Sequence, residues 1–145
     1  MSGLVYGFDA APIFKHLGGL ERLNRAHFAS VRAEIGEYLV GNVQDNLRDQ
    51  KLFDGSTMPP SKAAAKRAGN TLVDKGHLRD SYVYQVNNSG VEIGSALIYS
   101  AIHHFGGKTG RGHKTNITPR PVLGVSATQE KALGDFMIAE IGRLQ

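Results

Sequence analysis

A chain of 145 residues suffices for one domain with a single hydrophobic core, and 41% hydrophobic with 21% charged residues is typical of a soluble globular protein. The absence of cysteine excludes a disulfide framework and a thiolate metal site, and no apolar run approaches the roughly 20 residues that span a bilayer. The net charge of +4 permits contact with nucleic acid or with an acidic partner without requiring either.

The N-terminal segment is rich in Gly and Ala, carries scattered aromatic side chains and lacks the basic stretch of a signal peptide. We therefore expect the protein to be made and kept in a cytoplasm. Pro12 disfavours a helix, so residues 1–15 are interpreted as an arm and residues 16–145 as the single domain that follows it. Its aromatic side chains favour docking of the arm, either on a neighbouring subunit or on its own domain.

Residues 19–50 carry the longest helical pattern of the chain. Apolar side chains recur every four residues from Val31 to Leu47, and charged residues of both signs lie between them. This spacing predicts an amphipathic helix with a solvated outer face. Gly36 and Gly41 weaken the helix relative to Ala and indicate either a close helix approach or a bend.

A turn-rich connection, residues 52–60, separates this helix from a second, shorter one. Its Asp-Gly and Pro-Pro pairs stop regular structure. Ser61 is placed to cap a short helix over residues 62–68, and Gly69 to end it. The lysines and arginine of this helix predict a basic patch on the surface.

A β-hairpin is predicted in the middle of the chain. Residues 72–80 are interpreted as a turn leading into a strand, and residues 81–87 suit a strand because they are rich in Tyr and Val. Residues 88–90 are a hairpin turn signal, and residues 91–95 form the return strand.

The last third alternates short elements with glycine-rich and proline-rich segments. Residues 99–105 predict a short helix, and residues 106–116 a flexible basic loop. Residues 117–123 are interpreted as an edge strand or extended segment because prolines do not fit a central strand. Ser126 caps a C-terminal helix over residues 126–144. The predicted fold is therefore α+β: a long N-terminal helix, a small antiparallel β-sheet with short helices, and a C-terminal helix.

No residue pattern indicates catalysis or a bound cofactor. His103 and His104 are adjacent on a helix and point in different directions, and His113 follows with no carboxylate cluster nearby, so a zinc site or metal-dependent nuclease is disfavoured. The GGKTGRG segment lacks the spacing of a phosphate-binding loop. We expect no catalytic residue, no metal ligand and no cofactor, which favours an assembly or binding protein over an enzyme.

Arg120 lies between Pro119 and Pro121, which restrict the backbone on both sides of it. The restricted backbone fixes the direction of the arginine side chain, and two interpretations of its role remain open. It forms a bidentate pair with a carboxylate, within the fold or across an interface, or it is a structural arginine at a strand edge.

Three segments carry a spaced pattern of Leu, Gly, Arg and aromatic residues. The first, TLVDKGHLRDSYVYQV, supplies Leu72, Gly76, Leu78, Arg79 and Ser81. The second, VEIGSALIYSAIHHFGG, supplies Val91, Ile93, Gly94, Tyr99, Ala101, Ile102, His103, Phe105, Gly106 and Gly107. The third, ITPRPVLGVS, supplies Ile117, Arg120, Pro121, Leu123 and Gly124. In this order and spacing they resemble the phage virion morphogenesis (tail-completion) family, although the chain lacks the family's tryptophan near Met58.

The resemblance implies a structural protein of the phage neck or tail end that completes the tail and joins it to the DNA-filled head. It implies a homo-oligomeric ring, hexameric by analogy with tail symmetry, with neck, connector and tail-tube proteins as partners. The expected location is the head–tail junction of the virion, and the host cytoplasm during assembly. No membrane partner is expected.

The motif residues expected to matter for folding or assembly fall into two groups. A core turn comprises Tyr99, His103, Phe105 and Gly106, with Leu78, Gly94 and Pro121 as further motif positions; polar anchoring falls to Arg79 and Arg120. Candidates for contact with packaged DNA or a partner are Lys108, Arg111 and Lys114. The alternative function is a DNA-binding accessory protein that uses the basic loop 106–116 and the basic patch at 62–75.

Overall fold

The computed structural model describes residues 11–12, 15, 25–87 and 90–143, so most of the predicted arm lies outside the described residues. The elements follow in the order α1 Arg25–Asp49, α2 Lys62–Lys66, α3 His77–Ser81, β1 Tyr82–Val86, β2 Val91–Ser95, α4 Ser100–Phe105, β3 Gly107–Thr109, a 3₁₀ turn Arg111–His113, β4 Thr115–Ile117 and α5 Ala127–Arg143. The predicted α+β class is confirmed, with two separate two-stranded antiparallel sheets in place of one.

The long helix α1 supplies one side of the hydrophobic core. Its predicted stripe is buried at Val31, Leu39, Val43 and Leu47, and Leu47 is fully enclosed. Side chains from distant segments pack against the C-terminal half of this stripe: Met58, Leu78, Tyr82 and Val122. Because these residues lie before, within and after the hairpin, the core fixes the short elements relative to α1.

The end of α1 is held by Gln50, which has a positive φ of 56°. Its side-chain amide donates to the carbonyl oxygens of Leu47 (2.6 Å) and Thr71 (3.1 Å), and its Oε1 accepts from the Thr71 backbone N–H at 2.7 Å. The buried Thr71 hydroxyl in turn accepts from the Ser61 N–H. Ser61 caps α2 as predicted, since its Oγ accepts from the Ala64 N–H at 3.1 Å.

The hairpin β1–β2 forms as predicted, in a register that pairs Tyr82 with Ser95 and Val86 with Val91. Next to the turn that joins the two strands, the Asn87 N–H donates to the Gly90 carbonyl oxygen at 3.0 Å. The sheet packs directly on α1, because a Cβ at Gly36 would come within 2.5 Å of the Tyr84 ring. Gly36 therefore marks a close approach, whereas the space around Gly41 is open.

Residues 72–80, predicted as a turn leading into a strand, include most of the short helix α3 His77–Ser81, and the strand begins at Tyr82 and not at residue 81. Gly76 adopts the left-handed conformation (φ 82°) and opens this turn. The Ser81 hydroxyl donates to the Leu78 carbonyl oxygen at 2.6 Å. A single helical turn buries Leu78 while its polar neighbours stay at the surface, which explains why the turn is preferred to a strand.

The flexible loop expected at residues 106–116 is also wrong, because the segment forms the hairpin β3–β4 around a 3₁₀ turn. Gly107 pairs with Ile117, and Thr109 pairs with Thr115. Glycines at 106, 107, 110 and 112 all have positive φ, so they provide the backbone angles that the tight hairpin requires. Strand β4 ends at Ile117, and residues 118–126 are without regular structure.

The C-terminal helix α5 begins as predicted. Ser126 Oγ accepts from the Gln129 N–H at 3.3 Å, and Gln129 Oε1 accepts from the Ser126 N–H at 3.0 Å, which is a reciprocal cap. No described residue of α5 is buried, and Met137 and Ile138 are exposed. The apolar side of α5 is therefore only partly covered by the rest of the described chain.

Candidate interaction site

The three sequence motifs meet around one open cleft of about 1020 Å³. The cleft lies between α2, the turn that precedes α3, the start of α4 and strand β4. Two matched motif positions of each segment line its wall: Leu72 and Leu78 from the first, Tyr99 and His103 from the second, and Ile117 and Arg120 from the third. The motif residues thus share a common surface in addition to their packing roles.

Arg120 forms part of this wall and is 7% exposed. Its guanidinium donates to the carbonyl oxygens of Pro59 (Nε, 2.6 Å), Pro60 (Nη2, 3.2 Å) and Thr118 (Nη1, 3.3 Å). Burial lowers the pKa of the guanidinium from its usual value. Among the described residues these acceptors are carbonyl oxygens, not a carboxylate, so Arg120 ties the Pro59–Pro60 turn to the third motif within one chain.

His103 is joined to Arg120 through the backbone, since the Arg120 N–H donates to the His103 carbonyl oxygen at 2.8 Å. The imidazole and the Tyr99 ring make a T-shaped contact, with centroids 5.9 Å apart. Its Nδ1 is buried and has no hydrogen-bond partner among the described residues. Burial, and secondarily the charge of Arg120, lower the pKa of His103, so the fold favours the neutral imidazole.

Gly106 lies at the base of the β3–β4 hairpin with a φ of 72°. A Cβ there would lie 2.7 Å from Pro119 Cδ and 2.8 Å from the Ile117 carbonyl oxygen. The close approach fixes the hairpin against the proline segment, which is a folding role. Gly94 differs, because a Cβ on it would meet no described atom within 4 Å.

Phe105 points away from the core and is 76% exposed, with an edge contact to His104. Arg79 does not reach the cleft; it pairs at the surface with its neighbour Asp80, Nε to Oδ1 at 2.8 Å. That hydrogen bond raises the pKa of Arg79 and lowers the pKa of Asp80. Pro121 accepts a hydrogen bond at its carbonyl oxygen from the Phe53 N–H at 3.0 Å.

Positive charge collects around the cleft. Its wall includes the cations Lys62, Arg67, Lys75, Lys114 and Arg120. Among the described residues Asp74 is the one carboxylate in this wall, and its Oδ1 lies 3.8 Å from Arg67 Nε. Of the three loop cations singled out in the sequence, only Lys114 belongs to the wall, whereas Lys108 and Arg111 lie on other parts of the hairpin.

Several of these contributors could not be inferred from local sequence. Lys75 belongs to a segment whose pattern predicts a turn leading into a strand, and the sequence gives no sign that it lines the same cleft as Lys114. Within the part of the chain that the structure describes, no group of three or more His, Asp or Glu residues is placed to hold a metal ion. No helix among the described residues has the length and apolar character needed to cross a bilayer.

Comparisons with known proteins agree with the sequence motifs. A model of the phage virion morphogenesis family matches residues 9–142. Over 104 residues the chain is 36% identical to the Mu-like prophage FluMu G protein 2 of Haemophilus influenzae, and the aligned region covers 72% of each chain. No solved structure shows a significant match.

Proposed function

Since the chain belongs to the phage virion morphogenesis family, we propose that it completes the phage tail and joins it to the DNA-filled head as an oligomeric ring of six copies. Membership gives the coarser role, a phage protein of virion assembly. The proposed finer role is tail completion and head joining. It takes place at the head–tail junction, with neck, connector and tail-tube proteins as partners. The protein acts through complementary surfaces and not through catalysis.

One observation supports the proposed ring: several large apolar side chains are exposed and do not pack in the core. Ile98 is 96% exposed, Phe105 76% and Ile138 70%. Leaving such side chains in water forgoes about 1.5–3 kcal/mol for each that could be buried. Contacts between neighbouring copies would cover them, and head-to-tail contacts close into a ring when the rotation between copies closes.

The assembly step is tested by electron microscopy of lysates from a phage that lacks this gene. DNA-filled heads beside unattached tails are expected. Intact, infectious virions would contradict the proposal, and empty heads would move the protein to an earlier step. Immunogold labelling of complete virions should mark the head–tail junction.

The ring is tested by native mass spectrometry of the purified protein, with six copies expected. Phe105→Ser should reduce the ring population without lowering the thermal midpoint, because this side chain contributes little to the core of one copy. Thr128→Ser, at an exposed position near the start of α5, is a surface control that removes only a methyl group. A monomer at all concentrations would contradict ring formation.

The charge of the cleft favours one alternative, a DNA-binding accessory protein. The described wall holds five cations against one carboxylate, and these cations could contact phosphates. Binding of the purified protein to duplex DNA, weakening steeply as salt is raised, together with normal head–tail joining in the phage without this gene, would select this alternative.

A further inference from the structure

We propose that the cleft binds an extended, acidic segment of another virion protein, with the main chain of that segment beside β4 and its carboxylates against the cations of the wall. The proposal rests on the proposed function, because it names one kind of partner for an assembly protein. Nothing in it requires a particular ring size.

The first argument is the distribution of charge. The described cleft wall holds five Lys or Arg side chains and one Asp, a formal charge of 5 − 1 = +4 with histidines neutral. The whole chain has 17 Lys and Arg and 13 Asp and Glu, also +4. The described wall alone thus has a formal charge equal to the net charge of the whole chain, and a concave, low-dielectric wall strengthens the field of these cations.

The second argument is that these charges have few carboxylate partners. Lys62, Lys75 and Lys114 take part in no ion pair among the described residues. Arg67 donates to the carbonyl oxygens of Asn70 and Val73, and its distance to the Asp74 carboxylate is long. A guanidinium has five N–H groups, and Arg120 uses three of them on carbonyl oxygens. A buried arginine with spare donors, at the wall of a basic cleft, favours an anionic group entering from outside.

The third argument is the exposed edge of β4. The sheet contains β3 and β4 alone, so the far edge of β4 has no neighbouring strand within the described residues. Thr115, Asn116 and Ile117 of this strand line the cleft. An extended peptide can add to such an edge through main-chain hydrogen bonds, while its alternate side chains enter pockets.

The wall also favours a peptide over nucleic acid. Leu72, Leu78 and Ile117 add apolar surface to the same wall as the cations, and this surface suits side chains of a peptide better than a phosphate backbone. A duplex is convex and would reach the rim of a concave site, leaving the spare N–H groups of the buried Arg120 without an anionic acceptor. The N-terminal segment of a neighbouring copy fits poorly, since residues 1–15 contain one carboxylate, Asp9.

The experiment measures fluorescence anisotropy of a labelled peptide of alternating Glu and Thr with the purified full-length protein. The matched peptide with Gln in place of Glu is the control ligand. Binding of the acidic peptide, and loss of that binding when alternate amides are N-methylated, are expected. Absence of binding, or equal binding of the Gln peptide, would overturn the proposal.

Two charge reversals on the same hairpin give a matched pair of variants. Lys114→Glu, in the wall, should weaken peptide binding about tenfold, as the loss of one charge-assisted pair predicts. Lys108→Glu, which makes the same change outside the wall, should leave affinity within about twofold. Equal weakening by both variants would show attraction to net charge alone and overturn the proposal. Single-stranded DNA that displaces the peptide and binds more tightly would assign the cleft to nucleic acid.

Failure of this proposal is distinguishable from failure of the proposed function. Peptide binding is measured on the isolated protein, whereas head–tail joining is measured in the phage without the gene. Unattached tails with no peptide binding would reject the cleft and keep the assembly role. Peptide binding together with intact virions from the phage without the gene would keep the cleft proposal and reject the assembly role.

Discussion

The backbone N–H of Arg120 donates a hydrogen bond of 2.8 Å to the carbonyl oxygen of His103, and so joins two segments that the sequence separates by the whole β3–β4 hairpin. The Arg120 side chain extends the connection in the opposite direction, to the carbonyl oxygens of Pro59 and Pro60. One residue therefore holds the turn after α1, the helix α4 and the proline segment together.

Replacing Arg120 by Ala should destabilise the folded chain by about 2–3 kcal/mol, because partly buried carbonyl oxygens lose their charged donor. Urea unfolding followed by circular dichroism measures this. Arg120→Lys should recover part of the loss, since an ammonium keeps the charge but not the planar fork. Arg79→Ala, which removes an exposed arginine, should change stability by less than about 0.5 kcal/mol. Equal midpoints for Arg120→Ala and the native chain would contradict the structural role.

Acidification should destabilise the fold through His103. The folded-state pKa of this histidine is lowered, by burial first and by Arg120 second, so the unfolded state takes up the proton more readily. Its contribution is intact above the ordinary pKa of 6.5 and is lost as pH falls from there through the lower folded value. His103→Gln should flatten the dependence of the thermal midpoint on pH in this window, and His104→Gln is the matched control. An unchanged slope in His103→Gln would refute the assignment.

Two glycines of the same motif should respond differently to alanine. Gly106→Ala should lower stability by at least about 2 kcal/mol, because the residue has a positive φ and its Cβ would overlap Pro119 and the Ile117 carbonyl oxygen. Gly94→Ala should leave the monomer unaffected, since the space there is open. Thermal unfolding of both variants makes the comparison. If Gly94→Ala also impairs ring formation at unchanged stability, Gly94 contacts a neighbouring copy.

The two glycines in the middle of α1 form a second pair. Gly41→Ala should stabilise the chain by about 0.5–1 kcal/mol, the usual gain from alanine in an unobstructed helix. Gly36→Ala should destabilise it, because the added methyl group meets the Tyr84 ring at 2.5 Å and forces the β1–β2 sheet away from the helix. Chemical unfolding that gave the same sign for both variants would contradict this packing.

Features that depend on neighbouring residues could be predicted from the sequence. The stripe from Val31 to Leu47, the caps at Ser61 and Ser126, and the β1–β2 hairpin each follow from periodicity or from a side chain close in sequence to its partner. For Gly36 the sequence leaves open a close approach or a bend, and the structure shows a close approach, to the distant Tyr84.

Features that depend on distant partners could not be predicted. For Arg120 the sequence leaves open a carboxylate pair or a structural role, because its main acceptors lie about 60 residues away in the chain. The α3 turn exists because Leu78 reaches a core built by other segments. The sequence predicts a loop in place of the β3–β4 hairpin because its four glycines, which disfavour strands in general, are here the residues that permit its turns.

The long helix α1 has a consequence for how the molecule opens. Every described element between α1 and α5 contains six residues or fewer, and segments of that length are not stable on their own. Of these elements, β1, β2 and α3 pack directly on α1, which stabilises them. Amide protons around Val43 and Leu47 should therefore be among the last to exchange with deuterium, through complete unfolding. By contrast, α5 is only partly covered, so its amides should exchange earlier in a free copy.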